Sequence, residues 1–314
     1  MTYDFDLSII IVSWNTKAVT RDCLNSVFAN GGTLDMQVIV VDNASSDGSA
    51  EMVRREFPQA ELIVNEQNVG FAKANNQAMT HTRGRQVLLL NSDTIVHGDV
   101  LAQSVTWMDT HPAYAAMGCR VLNTDGTVQE TCYNYPSLKN LLILTSGLWK
   151  LKAAKSLDTY LRYHSERDAE EDVEAISGCY LMVRPEVIFD VGIFDEQFFF
   201  YGEETDWCRR MRDAGWKLGY APVGEITHLG GASVKQLNHK RDVLLTEATV
   251  RLHKKHQGRF SAFLCFFLLL FFNLSRAAYW SLRLLLSGGR QGRERAGHFL
   301  RVVSNTARTW PREV

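Results

Sequence analysis

Residues 7–14 read Leu-Ser-Ile-Ile-Ile-Val-Ser-Trp, a short β-branched run with no polar face. Such a run predicts a strand covered on both sides, as in a parallel sheet. Over 17–29 the rhythm changes. Val19, Cys23, Val27 and Phe28 fall roughly on one stripe, which predicts a helix. A second buried strand is predicted at 37–41, ending at Asp42, then a helix at 48–57 and a strand at 61–64. A helix at 70–82 and a strand at 86–90 follow, the strand running into Asn91-Ser92-Asp93. Alternation with short connections predicts an α/β fold, a mostly parallel central sheet with helices on both faces. From about 120 to 175 the pattern weakens into turns such as Asn123-Thr-Asp-Gly126 and a charged loop at 165–174. It returns with a strand over 175–183, which contains Ser177-Gly178, and a helix from about 203 to 214.

Composition changes this picture at the C-terminal end. The 314 residues are 46% apolar and 22% charged, which excludes a disordered or fibrous chain. A net charge of −1 gives no overall attraction to nucleic acid. Residues 251–314, however, hold twelve Lys/Arg and two acids, which leaves an acidic body. Within 260–274 only Ser261 and Asn273 are polar, and Arg276, Tyr279, Trp280 and Arg283 follow. Fifteen residues fall short of the roughly 20 that span a bilayer. Flanking basic and aromatic residues suit an interface. The expectation is a body over 1–255 and an apolar, basic helical tail over 256–314. The tail lies on the cytoplasmic membrane face, with Arg290, Arg293, Arg295 and Arg301 toward anionic lipid. A helical hairpin packed on the body or on a second subunit is the alternative. The six cysteines form no Cys-x-x-Cys pair, and Asp4 and Asp6 stand where an export signal carries Lys/Arg. A reduced, cytosolic body is expected.

Five segments could carry chemistry. Asp42 ends a buried strand, where a carboxylate can meet a ribose or a base N–H, whereas Ser46 and Asp47 read as a helix cap. In Asn68-Val-Gly70-Phe71, Gly70 opens a helix whose amides could approach a phosphate. Asp93, at the next strand end, suits a divalent cation beside an anionic ligand. In Gly202-Glu203-Glu204-Thr-Asp206-Trp207-Cys208, helical spacing puts Glu204 with Trp207, Cys208 and Met211, and Asp206 nearly opposite. An acid on an apolar face is partly desolvated, as a general base requires, while Glu203 and Asp206 fit the helix dipole. His228 follows a short strand and precedes Gly230, Gly231 and Ser233, which permit close backbone approach.

Taken in order, Ser8-Ile-Ile-Ile-Val-Ser-Trp-Asn15, Val-Val-Asp42-Asn-Ala-Ser-Ser-Asp-Gly, Asn68-Val-Gly-Phe-Ala, Leu-Leu-Asn91-Ser-Asp93, Ser177-Gly178, Glu203-Glu204-Thr-Asp206 and His228 resemble the family 2 glycosyltransferases of GT-A fold. The likeness covers about 6–255 and is strongest to rhamnosyltransferase-like bacterial members that build O-antigen and other surface polysaccharides. It implies that Asp42, with Asn15, Gly70, Asn91 and Ser92, contacts a nucleotide-sugar donor. It implies that Asp93 and His228 hold Mg²⁺ or Mn²⁺, with Asn91 in place of the first acid of an Asp-x-Asp-type motif. Glu203-Glu204 matches the family's Glu-Asp motif, whose second acid is the base. Glu for Asp at 204 leaves Glu204, Glu203 and Asp206 as candidates. The implied reaction is sugar transfer with inversion, from dTDP-rhamnose or a UDP-hexose to a saccharide, lipid-linked acceptor at the inner membrane. A nucleotidyltransferase is disfavoured, because Asn15-Thr16-Lys17 is not a Gly-rich phosphate loop. A non-catalytic scaffold in a polysaccharide assembly complex is the other alternative.

Overall fold

The computed structural model describes residues 3–146, 168–230, 238–287, 289–306 and 309–310. In chain order the first half comprises β1 (Leu7–Ser13), α1 (Lys17–Ala29), β2 (Met36–Asp42), α2 (Ser49–Glu56), β3 (Glu61–Val64), α3 (Phe71–Met79), β4 (Val87–Asn91), β5 (Thr94–Val96), α4 (Val100–Thr110) and β6 (Tyr114–Leu122). The second half comprises β7 (Cys132–Tyr133), α5 (Leu138–Ser146), β8 (Glu171–Asp172), β9 (Ala175–Ile176), β10 (Tyr180–Val183), α6 (Pro185–Val191), α7 (Glu203–Asp213), β11 (Lys217–His228), α8 (His239–Ser287) and α9 (Arg290–Thr306).

The elements gather into two compact units, one of 3–135, 168–199 and 203–230, the other of 136–146, 200–202 and the chain from 238. In the first unit a nine-stranded sheet runs β3-β2-β1-β4-β10-β6-β11-β5, with β8 on β11. The β3-β2-β1-β4 half is parallel; β10 then runs antiparallel to β4 and β6.

Strand period explains the layers. Leu7, Ile9 and Ile11 of β1, Val38 and Val40 of β2, and Leu88 and Leu90 of β4 point to one core, against Cys23, Leu24 and Val27 of α1 and Met52 and Val53 of α2. The intervening Ile10, Ile39, Val41, Val87 and Leu89 point to the other core, against Ala72, Ala74 and Ala78 of α3 and Trp207, Cys208 and Met211 of α7. Both faces of the parallel strands are therefore covered, which is why they read as continuous apolar runs.

Three differences from the sequence expectation bear on the site. The strand expected over 175–183 is broken. β9 pairs with β7, and after a turn at Ser177-Gly178 β10 enters the main sheet. A Cβ at Gly178 would lie 3.4 Å from the Phe71 ring, so the turn approaches α3 closely. Second, β5, α4 and β6 occupy 94–122, where no element was expected; Val100, Leu101, Val105 and Met108 of α4 lie in the first core. Third, His228 ends a strand of twelve residues, not a short one.

In the second unit, α8 starts at His239 and kinks at Gly258 (φ 84°), a left-handed conformation that suits glycine. Leu141, Val250, Ala262 and Cys265 form its core. His298 of α9 pairs with Asp242 at 2.9 Å, and Arg283 and Arg295 lie over the Trp280 ring at 5.1 and 4.7 Å. Beyond the kink, Phe260, Phe263, Phe267, Phe271, Leu274, Leu282 and Leu285 recur at helical spacing and are exposed. The most apolar stretch of α8 has mean hydropathy 1.8 and is 28% buried; among the described residues α8 alone has the length and composition to cross a membrane.

Truncating Ile10, fully buried in β1, leaves a cavity in the second core. Ile10→Ala is expected to lower the unfolding free energy by about 2–5 kcal/mol in urea titration.

Candidate active site at the strand ends

The chain leaves β1 toward α1 and, across the sheet, β2 toward α2, so two loops meet at the carboxyl end. Ser13 of β1 is in register with Asp42 of β2, and Val12 with Asn91 of β4. Asp42 and Asn91 thus stand on either side of β1, two strands and roughly 10 Å apart at ordinary strand spacing. Ligands of such sheets sit at this kind of switch between neighbouring connections.

The two loops are laced together. Asn15 (φ 54°) and Ala44 (φ 65°) are left-handed, a costly conformation for residues other than glycine. The Asn15 side-chain oxygen accepts from the Ser46 amide at 2.7 Å, its own amide donates to Ser45 Oγ at 2.9 Å, and the Lys17 amide donates to Asp47 at 2.8 Å. Asn15 therefore braces the loop. Ser92 is buried and joins a hydroxyl chain through Thr16 Oγ1 at 3.4 Å.

Asp42 is buried, and its Oδ1 accepts from the Ser45 amide at 2.9 Å. Its Oδ2 is enclosed without a hydrogen-bond partner. Enclosing a carboxylate oxygen this way is costly unless a ligand donor completes it. Asn43, next in sequence, accepts from Val69 N and donates to Asn68 and to the Gly70 carbonyl, holding the 65–70 loop.

Gly70 has a different task from the expected phosphate contact. The Phe71 amide at the start of α3 donates to the Phe199 carbonyl at 3.1 Å, and the Gly70 amide donates to Asn68 Oδ1. A Cβ on Gly70 would sit 2.7 Å from that carbonyl, and its φ of 87° is left-handed. Glycine is needed for the close approach of Phe199.

Asp93 and His228 converge, although 135 positions separate them. β11 pairs with β5 and sets His228 opposite Thr94, and the Leu229 amide donates to the Asp93 carbonyl at 2.7 Å. His228 Nε2 then lies 3.1 Å from Asp93 Oδ1 and 3.3 Å from Asn91 Nδ2. Gly230 leaves this corner open, since a Cβ there would fall 2.2 Å from Asp93 Oδ2 and 3.2 Å from His228 Nε2. One carboxylate, one imidazole and a cradle that any side chain would fill are a donor set that fits a divalent cation. Among the described residues no group of three His, Cys, Asp or Glu side chains could hold a metal, so water and ligand oxygens would complete its shell. Gly231 and Ser233 lie outside the described residues, as does the 147–167 part of the weakly patterned region.

The three acids of α7 separate. Asp206 is fully buried and binds Arg210 at 2.9 Å, while Arg210 Nη2 donates to the Ile193 carbonyl at 2.7 Å. It ties α7 to the segment after α6, which corrects its placement on the polar face and removes it as a candidate base. Glu203 is likewise buried, at 3% exposure. Glu204 is half-buried, and burial raises its carboxyl above the usual range, partly offset by hydrogen bonds from the backbone and from Tyr133. Tyr133 Oη lies 3.4 Å from Glu204 Oε1 and 2.8 Å from Thr205 Oγ1. Burial pushes the Cys179 thiol up to about 12, and the Asp93 and Glu204 carboxylates both add to the rise. Such a thiol is inert as a nucleophile. Tyr133 and Gln129, which bonds His228, went unread in the sequence; the turn at 123–126 is the only signal near them.

Comparisons with known proteins bear on the family and the fold. Residues 8–155 match the model of glycosyl transferase family 2. An N-acetylglucosaminyl-diphospho-decaprenol L-rhamnosyltransferase of Mycobacterium tuberculosis is 26% identical over 206 residues, 62% of this chain and 66% of that protein. The aligned part is thus just under two thirds of that relative's length. The low-salt glycan biosynthesis hexosyltransferase Agl10 of Haloferax volcanii is 25% identical over 90% of this chain and 82% of its own. The mannosyltransferase PcManGT of Pyrobaculum calidifontis, in complex with GDP-Man and Mn²⁺, superposes with a TM-score of 0.60 at 17% identity, over 98% of this chain and 88% of that one. At that identity the likeness is one of fold. Over residues 8–155 the chain is similar to glycosyl transferase family 2, and the fold is the α/β, GT-A-like one expected from the motifs.

Because burial raises the Glu204 carboxyl, its ionised form costs stability above that raised value, and the cost vanishes below the unfolded value near 4.5. Glu204→Gln is expected to unfold at higher denaturant than the parent at pH 7–8 and to converge with it toward pH 4. If Glu204 removes a proton in turnover, the same variant loses about 10²–10⁴-fold in rate while still binding ligand.

Proposed function

We propose that the chain is a metal-dependent, inverting glycosyltransferase that moves a sugar from a nucleoside-diphosphate donor to a saccharide acceptor of a surface glycan. The observation that carries this reading is the pair of incomplete subsites flanking β1: the enclosed, unpartnered Asp42 oxygen on one side and the Asp93–His228 corner opened by Gly230 on the other. Their separation is one that a nucleoside diphosphate covers. Asp42 takes a hydrogen bond from the nucleoside, and Asn91 and Ser92 line the path between the two subsites. Asp93 and His228 hold Mg²⁺ or Mn²⁺. When bound, the cation offsets charge on the departing diphosphate.

Glu204 receives the proton of the acceptor hydroxyl as that oxygen bonds the anomeric carbon. The bond from that carbon to the diphosphate breaks on the opposite face, its electrons leave with the diphosphate, and configuration inverts. Tyr133 holds Glu204 through one long hydrogen bond, which orients the carboxylate without quenching its basicity. No side-chain nucleophile is needed, in keeping with the raised thiols of Cys179 and Cys208.

The donor is read as dTDP-rhamnose or a UDP-hexose; the names of the rhamnosyltransferase and hexosyltransferase relatives support those two sugar classes. A lipid-linked acceptor is supported by the decaprenol-linked substrate in the name of the mycobacterial relative. The exposed apolar stripe of α8, with Arg276, Arg283 and the basic residues of α9 on the same unit, fits an anionic membrane surface on the cytoplasmic side.

A thermal-shift screen against nucleoside-diphosphate sugars should show an Mn²⁺-dependent rise in Tm for one donor, lost in Asp93→Ala, since a ligand bound only by the native state stabilises it. No shift with any donor, in a folded chain, counts against the transferase. The full chain should co-sediment with phosphatidylglycerol vesicles and release in high salt. Phe263→Asp combined with Phe271→Asp should weaken that binding at least tenfold, and unchanged binding would remove α8 from the interface.

A further inference from the structure

The hairpin after β6 brings to the Asp93–His228 corner a side chain with no assigned role. Leaving Val121 and Leu122, the chain turns at 123–127, with the Asn123 amide donating to the Thr127 carbonyl at 2.8 Å and the Gly126 amide to the Asn123 carbonyl at 3.0 Å. Val128 bridges back to Leu122, and the Gln129 amide donates to the Val121 carbonyl at 2.7 Å. Because Val121 and Leu122 are in parallel register with Ile226 and Thr227 of β11, this return sets Gln129 beside the end of β11. Its Oε1 lies 2.9 Å from His228 Nδ1.

We infer that Gln129 is a positioning residue that fixes His228 in the Nδ1–H tautomer and so presents the Nε2 lone pair to a divalent cation. The inference rests on the metal-dependent reading above. A neutral imidazole has one N–H and one lone pair, and the bond made by one nitrogen decides the state of the other. The amide oxygen of Gln129 can only accept, so Nδ1 carries the proton. Nε2 is then a bare acceptor, and Asn91 Nδ2 at 3.3 Å is the donor that faces it. Asp93 Oδ1 at 3.1 Å is a second electron-rich atom facing the same nitrogen. In the neutral ring these two acceptors repel; a proton shared with Asp93 or a cation between them relieves this, and the space beside them is the one Gly230 keeps clear.

Outer partners of this kind typically change metal affinity 10–100-fold when removed. In the full chain, Mn²⁺ affinity measured by calorimetry and by electron paramagnetic resonance, with UDP and with dTDP, should fall at least tenfold in Gln129→Leu. It should stay near the parent value in Gln129→Glu, whose carboxylate still accepts from Nδ1–H. Equal affinity in Gln129→Leu, while the parent binds Mn²⁺, overturns the inference and leaves the metal reading standing. A parent chain that binds no Mn²⁺ with either nucleotide overturns both. A second measurement does not depend on the variants folding: in the parent, labelled with ¹⁵N-histidine and loaded with Mg²⁺ at pH 8, the His228 ring should show a protonated Nδ1. A proton on Nε2 instead overturns the inference.

Discussion

Strand β1 has no side toward water, and both of its neighbours run parallel to it. Leu7, Ile9 and Ile11 enter one core and Ile10 the other, so both faces of the strand are covered. With that register set, the ends of β2 and β4 are also set, and Asp42 and Asn91 must emerge on either side of Ser13. The polar loops that follow have no room to pair with the sheet, so they pair with one another through Asn15, Ser45, Ser46 and Asp47. Left-handed Asn15 and Ala44 stand within this lacing.

Charge at the site sorts by whether a group is satisfied. Asp206 is buried deepest of the α7 acids and has the strongest partner, Arg210, so it serves the fold. Asp42 is as well buried, but one of its oxygens has no partner. Asp93 meets a histidine whose other nitrogen is already engaged. Glu204 has a long bond from Tyr133, a backbone hydrogen bond and a raised carboxyl. The groups that the fold leaves incomplete are the ones available to a ligand. The helical unit shows the same contrast in apolar form: Ala262 and Cys265 fill its core, while Phe260, Phe267 and Leu285 stay in the open.

Much of this was legible along the chain. A continuous apolar run bounded by polar turns has one economical interpretation, a strand covered on both faces, and this identified β1, β2 and β4 and put Asp42 and Asp93 at strand ends. Helical spacing set Glu204 apart from its neighbours. Spacing failed for Asp206, because a buried Arg210 four residues on turns a nominally polar face into an interior one, and a period cannot show a partner's burial. It failed again over 94–122, where α4 and β6 carry Ser104, Arg120 and Cys119 among their apolar residues and so present no clean period.

The sequence by itself determined the layered sheet, the strand-end acids and the apolar, basic tail, because those depend on patterns a few residues long. Tertiary structure alone decided which distant groups meet: His228 with Asp93, Gln129 with His228, Tyr133 with Glu204, and Phe199 with the amide opened by Gly70. Each of those contacts joins residues separated by 70 positions or more, by way of strand pairing or a hairpin return. Local propensity carries no information about such pairings. They are set when two cores close on the same sheet, and the site forms only where that closure leaves its loops.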